Sequence, residues 1–127
     1  SPRGYELPIA EQKIAREWSE KSRSTLEFLS EPRAALQGAD ILYTDTFISM
    51  GQESEKAKRL EAFKNYQVNS VLMKSAKPEV LFMHCLPAHR GEEVTDEIMD
   101  SAQSIIFDQA ECRLHIAKSL LHFYLSR

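Results

Sequence analysis

Val80-Leu81-Phe82-Met83-His84-Cys85-Leu86-Pro87-Ala88-His89-Arg90-Gly91 is the stretch on which the reading of this chain turns. Its first four residues are apolar, with Pro78 before them and a polar loop after them. They predict a short buried strand over residues 79–83. A thiol, two imidazoles and a guanidinium follow at once. Groups at the carboxyl end of such a strand sit where open α/β sheets hold their ligands. Pro87 fixes its own φ and restricts Leu86, so the loop has a defined shape.

The same pattern occurs twice more. Ile41-Leu42-Tyr43 leads to Asp45, Ser49, Met50 and Gly51. Ile105-Ile106-Phe107 leads to Asp108, Glu111 and Arg113. If the three runs are parallel strands, their polar ends lie side by side and converge on one crevice. Thr25-Leu26-Glu27-Phe28-Leu29 alternates like a fourth strand with one wet face.

Helical signals fall between these runs. Ala10, Ile14 and Trp18 share a face of a predicted helix that runs to about Lys21. Ser30 predicts an N-cap for a short helix that starts with Glu31-Pro32 and ends at Gly38. Ser54 is positioned to cap a helix over residues 55–66, Asn69 one over 70–76, and Thr95 one over 96–101. A last helix is expected from about Glu111, with Leu114, Ala117, Leu121 and Tyr124 as an apolar stripe. Alternating strands and helices predict an α/β fold: a doubly wound, mainly parallel, Rossmann-like sheet with helices on both faces. Residues 1–127 are expected to form one domain.

Composition narrows the function classes. The 127 residues suit one domain and bury roughly two-thirds of the unfolded surface. Net charge is −3, so no basic footprint for nucleic acid is present. No apolar run approaches the roughly 18 residues of a membrane span. The two cysteines, Cys85 and Cys112, form no CxxC pair, which points to a reducing intracellular setting. No signal or transit peptide is visible. The opening Ser1-Pro2-Arg3-Gly4 has no initiator Met, as expected of a processed or excised piece.

The reactive groups each admit a plain reading and a functional one. Cys85 fits a buried core thiol, a nucleophile, a general acid or base, or a ligand anchor. His84, Cys85 and His89 have zinc-compatible donors, but no second cluster has structural-zinc spacing, so no metal is expected. Asp45 is either a turn aspartate or a partner for an ammonium. Arg113, near a helix start, either pairs with Glu111 or Asp108 or meets a phosphate or carboxylate. Ser49-Met50-Gly51 is either a polar loop or a mobile cover, with Gly51 as its pivot. Ser22-Arg23-Ser24-Thr25 leads into a predicted strand instead of following one, so it reads as surface.

Together these stretches resemble the carboxyl-terminal, ornithine-binding half of ornithine carbamoyltransferases. The matching pieces are Tyr43-Thr44-Asp45 through Ser49-Met50-Gly51-Gln52-Glu53, then His84-Cys85-Leu86-Pro87 with Arg90-Gly91-Glu92-Glu93-Val94-Thr95, then residues 111–115. Pro2-Arg3-Gly4-Tyr5-Glu6 resembles the family's loop entering this domain. Aspartate carbamoyltransferases share the fold but are not expected to carry both the Ser-Met-Gly loop and the His-Cys-Leu-Pro turn. At Cys112 the chain departs from the family's usual asparagine.

The resemblance implies transfer of the carbamoyl group from carbamoyl phosphate to ornithine, giving citrulline and phosphate. It implies no cofactor. Asp45 would hold or help deprotonate the ornithine amine, and Ser49 and Met50 would contact ornithine. Cys85 and Leu86 would meet the carbamoyl group and the amine, with Cys85 as proton acceptor. Arg113 would bind carbamoyl phosphate. His84, Pro87 and Gly51 would support the site, with Leu86-Pro87 in cis. The family's carbamoyl-phosphate domain and the first strand of the ornithine domain are missing, so the chain alone is expected to be inactive. The last helix would be partly exposed, because in the family it packs on the amino-terminal domain. The complete enzyme would be a homotrimer or a multiple of one. It would be cytoplasmic, or mitochondrial in a eukaryote, and act in arginine biosynthesis or a urea cycle. Two rivals remain: a non-catalytic ornithine-binding or interaction module, and a carbamoyltransferase for a related amine such as putrescine or an acylated ornithine.

Overall fold

The computed structural model describes residues 1–126. The elements in order are α1 (Ile9–Ser22), α2 (Pro32–Ala35), β1 (Ile41–Thr44), α3 (Lys56–Phe63), α4 (Ser70–Met73), β2 (Leu81–His84), α5 (Asp96–Met99) and α6 (Ile106–Leu125). Short 3-10 turns flank α3 at Glu53–Glu55 and Lys64–Tyr66. The alternation yields the expected parallel α/β layout. β1 pairs with β2 in parallel, and Ile41 faces Leu81 through to Thr44 facing His84. Parallel neighbours need a crossover, which α3 and α4 provide.

The sheet is smaller than the sequence suggested. Among the described residues it has two strands instead of four. The run 104–107 makes only a single parallel bridge, Ser104 to Phe82. The Phe82 amide donates to Gln103, and the Ile105 amide donates to Phe82. The chain turns helical at Ile106 because that side chain is fully buried while Phe107 is 68% exposed. An alternating strand would need a neighbour beyond Ser104. The run 25–29 is extended but unpaired as a strand; Leu29 accepts a bond from the Ser1 ammonium. Without a partner strand its alternation has no ladder to join.

Helix caps follow the expected residues at some ends and depart from them at others. Asn69 caps α4 by accepting from the Leu72 amide at 2.9 Å. Glu31, not Ser30, caps α2, because Pro32 occupies the first turn and the Glu31 carboxylate reaches the Arg33 amide. Ser54 lies inside a 3-10 turn and caps nothing in α3. Thr95 occupies the N-cap position of α5, but its hydroxyl does not bond the helix.

The core lies around β2. Val68, Met73, Val80, Phe82, Val94, Ile98, Met99 and Ile106 form one buried cluster. Arg90 braces the loop before α5 by contacting Asp96 at 2.7 Å and gripping both oxygens of Asp100 at 2.7 and 2.8 Å. These contacts raise the Arg90 pKa and lower that of Asp100. By contrast, α1 buries no residue, and the expected face leaves Ile14 and Trp18 exposed. The α6 stripe of Leu114, Leu121 and Tyr124 is exposed too. No helix among the described residues is long and apolar enough to cross a membrane.

Phe82 connects β2 to the segment that starts α6. Phe82→Ala is expected to cost about 3–5 kcal/mol, a large part of the roughly 5–15 kcal/mol typical of a domain. Urea unfolding followed by circular dichroism checks this. An unchanged midpoint would mean that Phe82 does not hold the two elements together.

Candidate active site

In-register parallel pairing does the first positioning. Thr44 and His84 are opposed at the carboxyl ends of β1 and β2, so the next residues, Asp45 and Cys85, emerge side by side. The Cys85 thiol donates to Asp45 Oδ1 at 2.9 Å. The same oxygen accepts the Thr46 amide at 2.7 Å. The thiol bond first, and the Thr46 amide and nearby His84 next, hold the Asp45 pKa below the usual carboxylate range against some desolvation. Cys85 moves the other way. Its partial burial, then its bond to the Asp45 carboxylate, push the thiol pKa up. The pair is therefore a thiol and a carboxylate at neutral pH. Tyr43 lies beside the same thiol, and this proximity raises the phenol pKa.

The turn after Cys85 is built from behind. Leu86 adopts φ 57° and is joined to Pro87 by a cis peptide bond. A left-handed backbone costs a non-glycine residue roughly 1–2 kcal/mol. The Leu86 amide is satisfied by His84 Nδ1 at 2.8 Å. Since Nδ1 accepts, the neutral ring carries its proton on Nε2. That atom faces Glu93 Oε1 at 3.2 Å, and both side chains are fully buried. The contact has ion-pair distance but lacks hydrogen-bond alignment, which a small ring rotation would supply. The His89 amide also donates to Glu93. Gln109, one turn into α6, accepts the His84 amide at 3.1 Å.

Arg113 does not stand near a helix start as expected, because α6 begins at Ile106 and Arg113 lies about two turns in. Asp108 and Glu111 are likewise helical residues, not strand-end ligands. The Arg113 guanidinium still reaches the Cys85 carbonyl, at 3.4 Å. Its expected acidic partners are absent from its described contacts; Glu111 faces His115 instead.

The Ser49-Met50-Gly51 loop is held by the Ser49 amide on Gln52 and the Gly51 amide on Glu53, with Gly51 at φ 87°. Met50 is 98% exposed. With Pro87 and His89, Ser49 and Met50 line a cavity of about 430 Å³. Asp45 and Ser49 also line a second cavity of about 790 Å³ beside β1. The structure thus brings Asp45, Cys85, His84, Leu86 and Arg113 together, while Ser49, Met50 and Gly51 stand on a loop beside Pro87. His84, Cys85 and His89 do not form a joint metal cluster; the grouping among the described residues is His89, Glu92 and Glu93. No local sequence pattern assigns Glu93 or Gln109 an individual role. Only the acid inside the apolar context of Val94 signals that Glu93 is special.

A parallel α/β domain with thiol, carboxylate and guanidinium at adjoining strand ends defines a small-molecule-binding domain of the open-sheet class. The family is narrower than that. The chain belongs to the aspartate/ornithine carbamoyltransferase family, Asp/Orn binding domain, whose model matches residues 1–124. It is 50% identical over 125 residues to the ornithine carbamoyltransferase of Chromobacterium violaceum, covering 98% of this chain and 39% of that protein. The solved ornithine carbamoyltransferase of Pyrococcus furiosus matches with a TM-score of 0.88 and 49% identity, over 95% of this chain and 39% of that one. The solved anabolic enzyme of Campylobacter jejuni matches with a TM-score of 0.89 and 32% identity, over 97% and 41%. The chain thus spans about two-fifths of the length of the curated relatives it matches.

Alkylation rates test the Asp45–Cys85 pair. In a Cys112→Ser background, Asp45→Asn removes the charge that disfavours thiolate, while the desolvation remains. The pH midpoint for iodoacetamide labelling of Cys85 is expected to move down, giving faster labelling at pH 8. A midpoint that stays put or rises would refute the contact.

Proposed function

We propose that this chain is the ornithine-binding half of an ornithine carbamoyltransferase, and that residues 1–127 are one domain lacking its first strand. One observation carries the reading: the Cys85 thiol on Asp45 at 2.9 Å, at the carboxyl ends of two parallel strands. The family match and the relatives' names support ornithine as the amine substrate. β1 pairs on one side only, which leaves an edge for a further strand. The exposed apolar residues of α6 leave a face for the carbamoyl-phosphate half.

In this reading Asp45 receives the ornithine side-chain ammonium, and Ser49 and Met50 close over the rest of the amino acid. Arg113, with the Leu86 turn, faces carbamoyl phosphate. The ammonium first gives one proton to bulk water, and the neutral amine then attacks the carbamoyl carbon. An N–C bond forms, the C–O bond to phosphate breaks, and phosphate leaves with its electron pair. The proton lost by the amine passes to Cys85 Sγ as the thiol proton passes to Asp45. Cys85 is a proton acceptor only through this relay, since its raised pKa keeps it a thiol at rest. No covalent intermediate forms. His84 fixes the Leu86 amide, Pro87 fixes the turn, and Gly51 lets the cover bend. A closed cover keeps water from labile carbamoyl phosphate. We place the complete enzyme, a homotrimer or a multiple of one, in the cytoplasm or a mitochondrial matrix, in arginine metabolism. Two unpaired cysteines fit such a reducing compartment.

The test is citrulline formation from carbamoyl phosphate and ornithine, by the chain alone and with a family amino-terminal half supplied. Activity is expected only in the second case. Loss of one relay group removes general-base assistance, so Asp45→Ala and Cys85→Ala should each cost about 10²–10⁴-fold in rate. Activity from the chain alone would overturn the missing-half reading. A folded complex that binds ornithine without turnover would make it a binding module, and preference for putrescine or an acylated ornithine would replace the substrate.

A further inference from the structure

We propose that the loop after the Leu86-Pro87 turn carries a divalent-metal site made by His89, Glu92 and Glu93. Each offers one ligand atom, and the three atoms lie within 4.8 Å of one another. The observation that points to a ligand is on Glu93. This residue is fully buried. Its Oε1 is engaged by the His89 amide and faces His84. Its Oε2 is buried with no hydrogen-bond partner. A buried carboxylate oxygen without donor or cation is costly, so such atoms normally have an occupant to meet.

The spacing fits a metal better than a direct bond. Glu93 Oε2 stands 3.7 Å from His89 Nδ1, too far for a hydrogen bond. Two donors each about 2.0–2.2 Å from a tetrahedral zinc ion stand roughly 3.4 Å apart. The missing few tenths are within reach of His89, whose side chain is 47% exposed. One imidazole nitrogen with two carboxylates suits borderline ions such as zinc, cobalt or manganese. The cavity lined by His89, Glu92 and Ser49 gives the ion a way in.

Two groups now share these ligands. The Lys56 ammonium sits on Glu92 Oε1 at 2.5 Å, and the Thr46 hydroxyl on His89 Nδ1 at 3.1 Å. An ion replaces both. Lys56 is therefore a built-in competitor, and its removal should strengthen binding. The bound ion would tie the loop to Glu93 and so to the far side of His84. The proposal does not rest on the transferase reading, because binding is read without turnover.

The experiment is titration of the chain with Zn²⁺ by calorimetry and with Co²⁺ by visible absorption. One ion per chain is expected, with no sulfur-to-cobalt charge-transfer band. His89→Ala and Glu92→Gln should weaken binding by about tenfold or more. Lys56→Ala should tighten it, and Cys85→Ser with Cys112→Ser should leave it unchanged. The side chains replaced in the loop are at least partly exposed, so circular dichroism should show folded variants. Absence of binding in the unaltered chain, or binding that survives His89→Ala and disappears with the cysteines, would overturn the site.

Discussion

Four rungs of parallel pairing, from Ile41 opposite Leu81 to Thr44 opposite His84, govern the arrangement of reactive groups in this domain. Side chains in a strand alternate faces, so a slip of one rung would turn every partner to the wrong side. In the observed register the two strands end together. Asp45 and Cys85 then leave the sheet as neighbours, and thiol and carboxylate meet at 2.9 Å. Each changes the other: the carboxylate is held ionised and the thiol is held protonated. The register is protected by Phe82 and Val80, which are fully buried and would be exposed by a slip.

The second constraint lies behind the sheet end. His84 and Glu93 are buried polar residues in an otherwise apolar core. Burying such a pair seldom adds net stability, but breaking one leaves an uncompensated group in a low dielectric. What the pair provides here is position. Its imidazole satisfies the Leu86 amide from one nitrogen and faces Glu93 with the other. The left-handed Leu86 backbone thus has a local partner, and Gln109 ties the same strand end to α6. The Arg90 clamp on Asp96 and Asp100 closes the loop farther along.

Packing is uneven across the molecule. The buried cluster surrounds β2, whereas α1 buries nothing and the apolar residues of α6 from Leu114 to Leu125 are largely exposed. An exposed apolar face of that extent is unusual for a self-contained domain. It accords with a chain that covers about two-fifths of its relatives' length.

Much of this was legible in the residue order. The runs at 41–44 and 79–83, bounded by polar and proline residues, marked the two strands to within two residues. The cluster after each run marked the crevice, and Asn69 marked a helix start. These signals are local: apolar runs, caps and φ restrictions act over a few neighbours. The failures share a different cause. Residues 25–29 and 104–107 have strand-like patterns, but a strand exists only where another strand supplies its ladder: residues 25–29 have none beside them among the described residues, and 104–107 meet β2 through a single bridge before the chain turns helical. Ile106 went to helix because the core needed that one side chain and not Phe107. The acceptor role of Glu93, nine residues after His84, and that of Gln109, twenty-five after it, depend on burial and on α6 crossing behind β2. The sequence by itself determined which groups stand at the strand ends. Only the tertiary structure decided which of them touch, because contact depends on register and on the packing of distant segments.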